Sequence, residues 1–236
     1  PGQTLLPAEF RLQTAQDVGG KMKERPILFS GEMVRAILEG RKTQTRRVIK
    51  YLKGYENSGY DFCIGMNAGE LQALTAGDHG WEATGISCPY GQPGDRLWVR
   101  ETFYCDHYAF TKWKENLSEL EGMRELLFYR ATDCAPNGEC YTGFSGETMD
   151  CPWSPSIHMP RWASRITLDI TGVRVERLQD ITANDAIDEG APDMRTLENN
   201  WGMKRCFEEL WQSINGPDSW DANPWVWVID FKKVDK

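Results

Sequence analysis

The chain has 236 residues, of which 40% are hydrophobic, so it is long enough for one large domain or for a small domain with long insertions. Its net charge of −8, from 27 Lys and Arg against 35 Asp and Glu, counts against a protein that binds polyanions over a broad basic face. Seven cysteines without regular spacing indicate reduced thiols rather than a disulfide framework. No apolar run is long enough to cross a membrane, and residues 1–21 lack the apolar stretch of a secretory signal. We therefore expect a cytoplasmic protein without a membrane partner.

Segments with regular apolar periodicity alternate with segments that lack it. The periodic segments are residues 26–50, 94–104, 162–178 and 200–234. Residues 51–93 and 104–155 are rich in Gly, Asn, Asp and Ser, and we expect them to be insertions into the domain. Met22 resembles a natural start, so residues 1–21 are expected to be a tag or an upstream segment that is disordered. The prediction is a single domain over residues 22–236.

Residues 26–47 predict, in order, a strand, a helix, a glycine stop and a dense cationic cluster. Ser30 can cap the helix with its hydroxyl, and an apolar stripe follows it at helical spacing. The stripe is Met33, Val34, Ile37 and Leu38. Gly40 lies where a left-handed helix end costs least. The next seven residues carry four cations and two threonines, namely Arg41, Lys42, Thr43, Thr45, Arg46 and Arg47. An edge strand protected by charge and a phosphate-contacting surface both fit this cluster.

The alternation of apolar and polar residues in 96–103 predicts a strand. Glu101 falls on the same face as Leu97 and Val99, where an isolated charge is costly. We expect a structural ion pair between Glu101 and an arginine of a neighbouring strand, and a role in proton transfer is the alternative.

Two further strand regions are expected in the C-terminal half. Residues 163–170 and 173–178 predict a pair of strands joined by a tight turn at Thr171 and Gly172. Residues 225–231 predict the last strand, which is apolar on both faces and is therefore expected to be a central strand that closes a barrel.

Three helices are expected, near residues 31–39, 183–189 and 201–214. Thr182 and Asp185 resemble a capping box at the start of the second helix. Glu189 lies at the C-terminal end of that helix, where the helix dipole disfavours a carboxylate, and this indicates another purpose for it. The third helix carries a stripe that predicts packing on the core, formed by Met203, Cys206, Phe207, Leu210, Trp211 and Ile214.

A proline-stiffened loop before residue 163 holds Arg161 and Trp162. Packing is the expected role of this indole, and stacking on a ligand is the alternative. Four residues have the ligand chemistry for zinc but lack the spacing of paired Cys-x-x-Cys knuckles. These are Cys134, Cys140, Cys151 and His158. We predict no metal site and no cofactor.

The letters ILEGRKTQTRR at residues 37–47 resemble the opening motif of the ASCH family, a relative of the PUA domain, in the form found in phage and prophage proteins. Similarity continues in GDRLWVRETF at residues 94–103, SIHMPRWASR at residues 156–165 and NPWVWVIDF at residues 223–231. The resemblance implies an α+β fold, built on a PUA-like, mostly antiparallel β-barrel with flanking helices and long inserted loops. Known members of the family bind RNA or act on modified nucleosides.

The resemblance also implies site residues. Small bacterial ASCH enzymes that remove the acetyl group from N4-acetylcytidine use a lysine, a threonine and a glutamate, which match Lys42, Thr45 and Glu189 here. A threonine hydroxyl needs a base to take its proton, and a desolvated lysine amine can be that base. Residues three apart on a regular strand face opposite sides, so we expect Lys42 to precede the strand or a bulge to re-aim one of the two.

Three functions are compatible with these patterns. The leading hypothesis is recognition of RNA or of a nucleoside-like ligand in a cleft beside the motif, with ligand contacts from Arg41, Arg46, Arg47, Arg161 and Trp162. The alternative is an amidohydrolase that acts on an N4-acylated cytidine through Lys42, Thr45 and Glu189. A second alternative is a phage interaction or assembly protein without catalysis, which would act in the cytoplasm of the bacterial host.

Overall fold

The structure is a computed structural model, and it describes residues 22–50, 62–67, 70–77, 80–105, 127–133, 153–191 and 201–234. Residues 1–21, expected to be a tag or upstream segment, lie outside the described residues, as do parts of both expected insertions. Within the described ranges, no helix is long and apolar enough to cross a membrane.

Ten strands, three α-helices and four short 3-10 helices make up the described part of the chain. The strands are β1 (Glu24–Leu28), β2 (Gln44–Val48), β3 (Phe62–Asn67), β4 (Glu70–Gly77), β5 (Gly80–Ser87), β6 (Arg96–Arg100), β7 (Phe103–Cys105), β8 (Leu127–Tyr129), β9 (Thr167–Arg177) and β10 (Trp225–Lys233). The α-helices are α1 (Gly31–Leu38), α2 (Ala183–Asp188) and α3 (Trp201–Asn215). The 3-10 helices are Ser156–His158, Arg161–Ala163, Leu178–Asp180 and Pro217–Ser219.

The architecture is α+β, and its main sheet has five strands in the order β1-β6-β9-β10-β2. The sheet is mixed, because β1 runs parallel to β6 whereas the other neighbours run antiparallel. None of the described sheets closes on itself. Both expected insertions contain strands that their composition did not predict. The first forms the antiparallel sheet β3-β4-β5, and the second contributes β8, which pairs with β7.

The centre of the main sheet is buried on both faces. On β10, Trp227 and Ile229 belong to a core that includes residues of α1, whereas Val226 and Val228 belong to a second core with residues of α2 and α3. Full burial of each such side chain contributes about 1.5–3 kcal/mol. The predicted central position of this strand is confirmed, since β10 lies between β9 and β2, but no described sheet closes into the barrel that the strand was expected to close.

The predicted helices are confirmed to within about a residue at each end, a normal margin for helix limits. Ser30 accepts a hydrogen bond from the backbone N–H of Met33 at the start of α1. Thr182 and Asp185 form the expected capping box at the start of α2. On α3, Met203, Phe207 and Trp211 are buried in the second core. The predicted stripe ends at the surface, because Ile214 is exposed.

The predicted strand pair joined at Thr171 and Gly172 is wrong, because β9 is a single strand of 11 residues. Its pairing with β10 shifts by one residue between Asp230 and Phe231, so that Thr171 is the extra residue of a β-bulge. A Cβ at Gly172 would lie 2.8 Å from Asp230 Oδ2. The glycine thus permits a close approach between strands and does not make a turn.

The predicted ion pair of Glu101 is confirmed. Its carboxylate accepts two hydrogen bonds of 2.9 Å from Arg165, which lies just before β9. Burial raises the pKa of Glu101 above its ordinary value, although the hydrogen bonds from Arg165 act in the opposite direction. This pair joins the end of β6 to the start of β9.

Candidate functional site

The end of α1 leads directly into the motif. Gly40 adopts a left-handed φ of 75°, and two residues later Lys42 forms an isolated β-bridge with Glu189, which follows α2. The backbone N–H of Thr43 donates to Asp188 O at 2.8 Å. Lys42 therefore precedes strand β2, which is one of the two arrangements expected from its spacing to Thr45.

The Lys42 ammonium is buried and uses all three of its donors. Nζ donates to Glu189 Oε2 at 2.7 Å and to the backbone oxygens of Glu189 and Gln44, each at 2.8 Å. The side chain is 0% exposed, and Nζ lies 5.6 Å from the centre of the Phe29 ring. Burial lowers the pKa of Lys42 below its ordinary value, although the charge of Glu189 and its hydrogen bond act to raise it. The pair combines a desolvated amine with a carboxylate in direct contact.

Gly190 allows the end of α2 to approach this pair. It has a φ of 88°, in the left-handed region that favours glycine. A Cβ at this position would lie 3.0 Å from Ala36 Cβ and 3.2 Å from Lys42 Cβ. The close packing of Gly190 on α1 therefore holds Glu189 beside Lys42.

Arg46 belongs to the same buried cluster. Its side chain is 0% exposed, and its guanidinium lies 3.3 Å from Glu189 Oε1, 3.0 Å from Glu176 Oε2 and 3.5 Å from Asp185 Oδ2. It also donates to Gln44 Oε1. Both oxygens of Glu189 are therefore committed, one to Lys42 and one to Arg46.

A second arginine completes the ion-pair network and was not singled out by the sequence. Arg174 on β9 contacts three carboxylates, donating to Glu176, to Asp185 at 2.9 Å and to Asp230 at 2.7 Å. Gln44 donates to the other oxygen of Asp230 at 2.7 Å. The network links β2, β9, β10 and α2. One available signal was Asp230, a carboxylate within the otherwise apolar residues 225–231.

Thr45 lies on the opposite face of β2 from Gln44 and Arg46. It pairs in register with Ile229, and its residue is 2% exposed. In the part of the chain that the structure describes, no hydrogen bond joins its hydroxyl to another group. The structure thus brings Lys42 and Glu189 into contact, whereas the Thr45 hydroxyl has no hydrogen bond to either of them in the described ranges.

The remaining residues predicted to bind the ligand lie in three different settings. Arg41 is exposed, pairs with Glu39 and donates to Gly190 O at 3.1 Å. Arg47 lies 5.2 Å from the centre of the Phe29 ring and donates to Leu28 O at 2.6 Å.

Arg161 and Trp162 lie in another part of the fold. Arg161 is exposed and pairs with Glu24 at 3.0 Å, and its hydrogen bond lowers the pKa of that carboxyl. Trp162 packs on a small core that contains Phe103, Leu127, Tyr129, Met159 and Ala163. In the described ranges neither residue contacts Lys42 or Glu189. Cys134, Cys140 and Cys151 lie outside the described residues.

A cavity of about 330 Å³ opens between α1, the end of α2 and α3. Its lining includes Met33, Glu39, Arg41, Glu189, Ala191 and Leu210. Of the predicted site residues, Arg41 and Glu189 line this cavity, whereas Lys42, Thr45 and Arg46 do not.

The ion-pair network is expected to make stability depend on pH through Asp185. Burial acts to raise the pKa of Asp185, but hydrogen bonds from Thr182 and the charge of Arg46 outweigh it, so the pKa lies below its ordinary value. A carboxyl with a lowered folded pKa stabilises the fold above its unfolded pKa of about 3.9, and this stability is lost as the pH falls through the folded pKa. Asp185→Asn should therefore lower the free energy of unfolding by about 1.5–3 kcal/mol near neutral pH.

Urea unfolding followed by circular dichroism between pH 3 and 7 checks this expectation. The difference between wild type and Asp185→Asn should be constant above about pH 5 and shrink below about pH 4. The matched control is Asp218→Asn, because Asp218 is exposed and has no ion pair in the described part of the chain. A difference that stays constant down to pH 3 would contradict the expectation.

No family model, no curated protein and no solved structure matches the chain. The functional argument therefore depends on the geometry of the described residues and on the sequence motif.

Proposed function

We propose that this is an ASCH-type protein that recognises a nucleoside-like ligand beside the Lys42–Glu189 pair. The observation that carries the proposal is the convergence of two residues 147 positions apart into a buried contact of 2.7 Å. These are two of the three residues to which the motif resemblance assigns the site. In this proposal the five-stranded main sheet is part of the PUA-like barrel that the resemblance implies.

The burial of the motif favours a small ligand over an extended RNA surface. Lys42 and Arg46 have side chains that are 0% exposed and are paired with carboxylates, so neither is presented to the phosphates of a polymer. Affinity for long nucleic acids depends on counterion release from such contacts, and the net charge of −8 opposes it. A small ligand that reaches Glu189 from the adjoining cavity fits these residues better.

Titration calorimetry with N4-acetylcytidine, cytidine and single-stranded RNA, each at 50 and 200 mM salt, tests the recognition. We expect saturable binding of a nucleoside with a weak dependence on salt, because few phosphate contacts are involved. Glu189→Gln should weaken this binding by about tenfold, the effect of one lost charged contact. The control Arg205→Gln removes an exposed cation, since Arg205 is 79% exposed, and should bind like wild type. Steeply salt-dependent RNA binding without nucleoside binding would contradict the proposal.

A second candidate function is hydrolysis of an N-acylated nucleoside. Two observations favour it: the pKa of the buried Lys42 amine is lowered, and the Thr45 hydroxyl, three residues along the chain, has no hydrogen-bond partner among the described residues. In this reaction Thr45 Oγ1 bonds to the acyl carbon while the C–N bond breaks. Lys42 Nζ takes the hydroxyl proton and passes it to the leaving amino nitrogen. Water then cleaves the acyl-threonine, which releases the carboxylic acid and restores the hydroxyl.

A further inference from the structure

Arg47 differs from the other cations of the motif in its partners. Arg41 pairs with Glu39, Lys42 with Glu189 and Arg46 with several carboxylates. Among the described residues, Arg47 pairs with no carboxylate, and its one hydrogen bond goes from NH2 to Leu28 O. Since a guanidinium carries five N–H donors, most of its hydrogen-bonding capacity is uncommitted.

The guanidinium of Arg47 is partly removed from water although few of its donors are hydrogen-bonded. The residue is half-buried against the Phe29 ring, and its Nε is closed to solvent without a hydrogen bond in the described part of the chain. Burial lowers the pKa of Arg47, whereas Tyr90 and Glu189 act to raise it, and the group remains protonated at neutral pH. A polar group removed from water without a hydrogen bond costs free energy that a bound partner can recover.

Glu189, whose charge acts on Arg47, already binds two other cations of the motif. One carboxylate oxygen of Glu189 accepts a hydrogen bond from Lys42, and the other accepts one from Arg46. In the described part of the chain, Arg47 makes no ion pair with Glu189 or with any other carboxylate, so its positive charge has no direct counter-ion. An anionic group of a ligand would supply it, and the planar guanidinium fork suits phosphate and carboxylate groups.

We infer that Arg47 binds an anionic group of the ligand, which makes the preferred ligand a nucleoside monophosphate rather than a neutral nucleoside. The inference rests on the proposed function. Thr45 and Arg47 are two residues apart on one face of β2, a separation of about 7 Å along the strand. That separation is comparable to the length of a ribose between its base and its phosphate. A nucleotide phosphate held by Arg47 would therefore bring its nucleoside part to the Thr45 end of β2.

Titration calorimetry with cytidine and with cytidine 5′-monophosphate at constant ionic strength tests the inference. Wild type should bind the monophosphate about tenfold more tightly or better, as expected for one charged hydrogen-bonded contact. Arg47→Gln should bind both compounds with the affinity that wild type has for cytidine. Arg47→Lys keeps the charge and should retain part of the preference for the monophosphate. This variant keeps the test valid if Arg47→Gln fails to fold. Arg205→Gln serves as the control for a lost surface cation and should keep the full preference.

Thermal unfolding with inorganic phosphate against chloride at matched ionic strength separates the two proposals. Phosphate should raise the Tm of wild type but not of Arg47→Gln. If phosphate does so while neither nucleoside compound binds, the anion site stands and the proposed nucleoside function fails. If cytidine and its monophosphate bind equally to wild type, the proposed function stands and the role of Arg47 is overturned. The absence of any effect of phosphate, free or on the nucleoside, overturns the inference as well.

Discussion

Replacement of Glu189 by alanine is expected to lower the free energy of unfolding by about 3–5 kcal/mol, the usual effect of removing one partner from a buried ion pair. In the described part of the chain, Lys42 contacts no carboxylate other than Glu189, so its ammonium would remain buried without a counter-charge. Arg46 would keep Glu176 and Asp185. Loss of the carboxylate also removes a charge that raises the pKa of Lys42, so the lysine should lose its proton more readily in the folded state. Urea denaturation followed by circular dichroism measures the effect.

Two comparisons make this expectation specific. Glu209→Ala removes an exposed glutamate that pairs with Arg205, and it should change stability by about 0.5 kcal/mol or less. The double variant Lys42→Met, Glu189→Leu replaces the pair by apolar groups and should be more stable than Glu189→Ala, because no charge is left buried alone. If Glu189→Ala behaves like Glu209→Ala, the pair is not buried in solution, and the site loses its main support.

Local signals predicted the helices because their information lies within a few residues. The Ser30 cap, the capping box at Thr182 and the left-handed Gly40 and Gly190 each define a helix end without reference to the rest of the fold. The continuity of β9 could not be predicted in this way. Thr171 and Gly172 resemble a tight turn locally, and only the register of β10 shows that they form a bulge. The parallel pairing of β1 with β6 depends in the same way on strands about 70 residues apart in the chain.

The residues of the candidate site that belong to the family resemblance could be predicted from the sequence. The residues that join the site only through tertiary contacts could not. Lys42 and Glu189 were chosen together from the sequence, and the structure places them in contact. Arg174, Glu176 and Asp230 were not chosen, because charges on strands resemble solvated faces until their partners are known. The burial of these cations could not be predicted either. The run of cations at residues 41–47 does not show in sequence that Lys42 and Arg46 are buried against carboxylates.

Replacement of Lys42 by methionine is expected to lower kcat/KM for release of acetate from N4-acetylcytidine by about 10²–10⁴, the range for loss of a general base, if the second candidate function holds. Thr45→Val removes the nucleophile and should abolish the reaction, whereas Thr45→Ser keeps a hydroxyl and should retain part of it. Arg205→Gln should retain full activity, because Arg205 lies on the exposed face of α3. Acetate release measured over time at saturating and subsaturating substrate gives kcat and KM separately for each variant.

The pH profile distinguishes a lysine base from a lysine with a merely structural role. A general base must be unprotonated, so kcat/KM should rise with pH through the pKa of Lys42, which burial places below the ordinary lysine value. Glu189 raises that pKa by its charge and its hydrogen bond, so Glu189→Gln should shift the rising limb to lower pH while it reduces the maximal rate. A profile in which the rising limb stays in place in Glu189→Gln would exclude Lys42 as the titrating base. Full activity of Lys42→Met would exclude the mechanism altogether, and the buried pair would then act only in binding and stability.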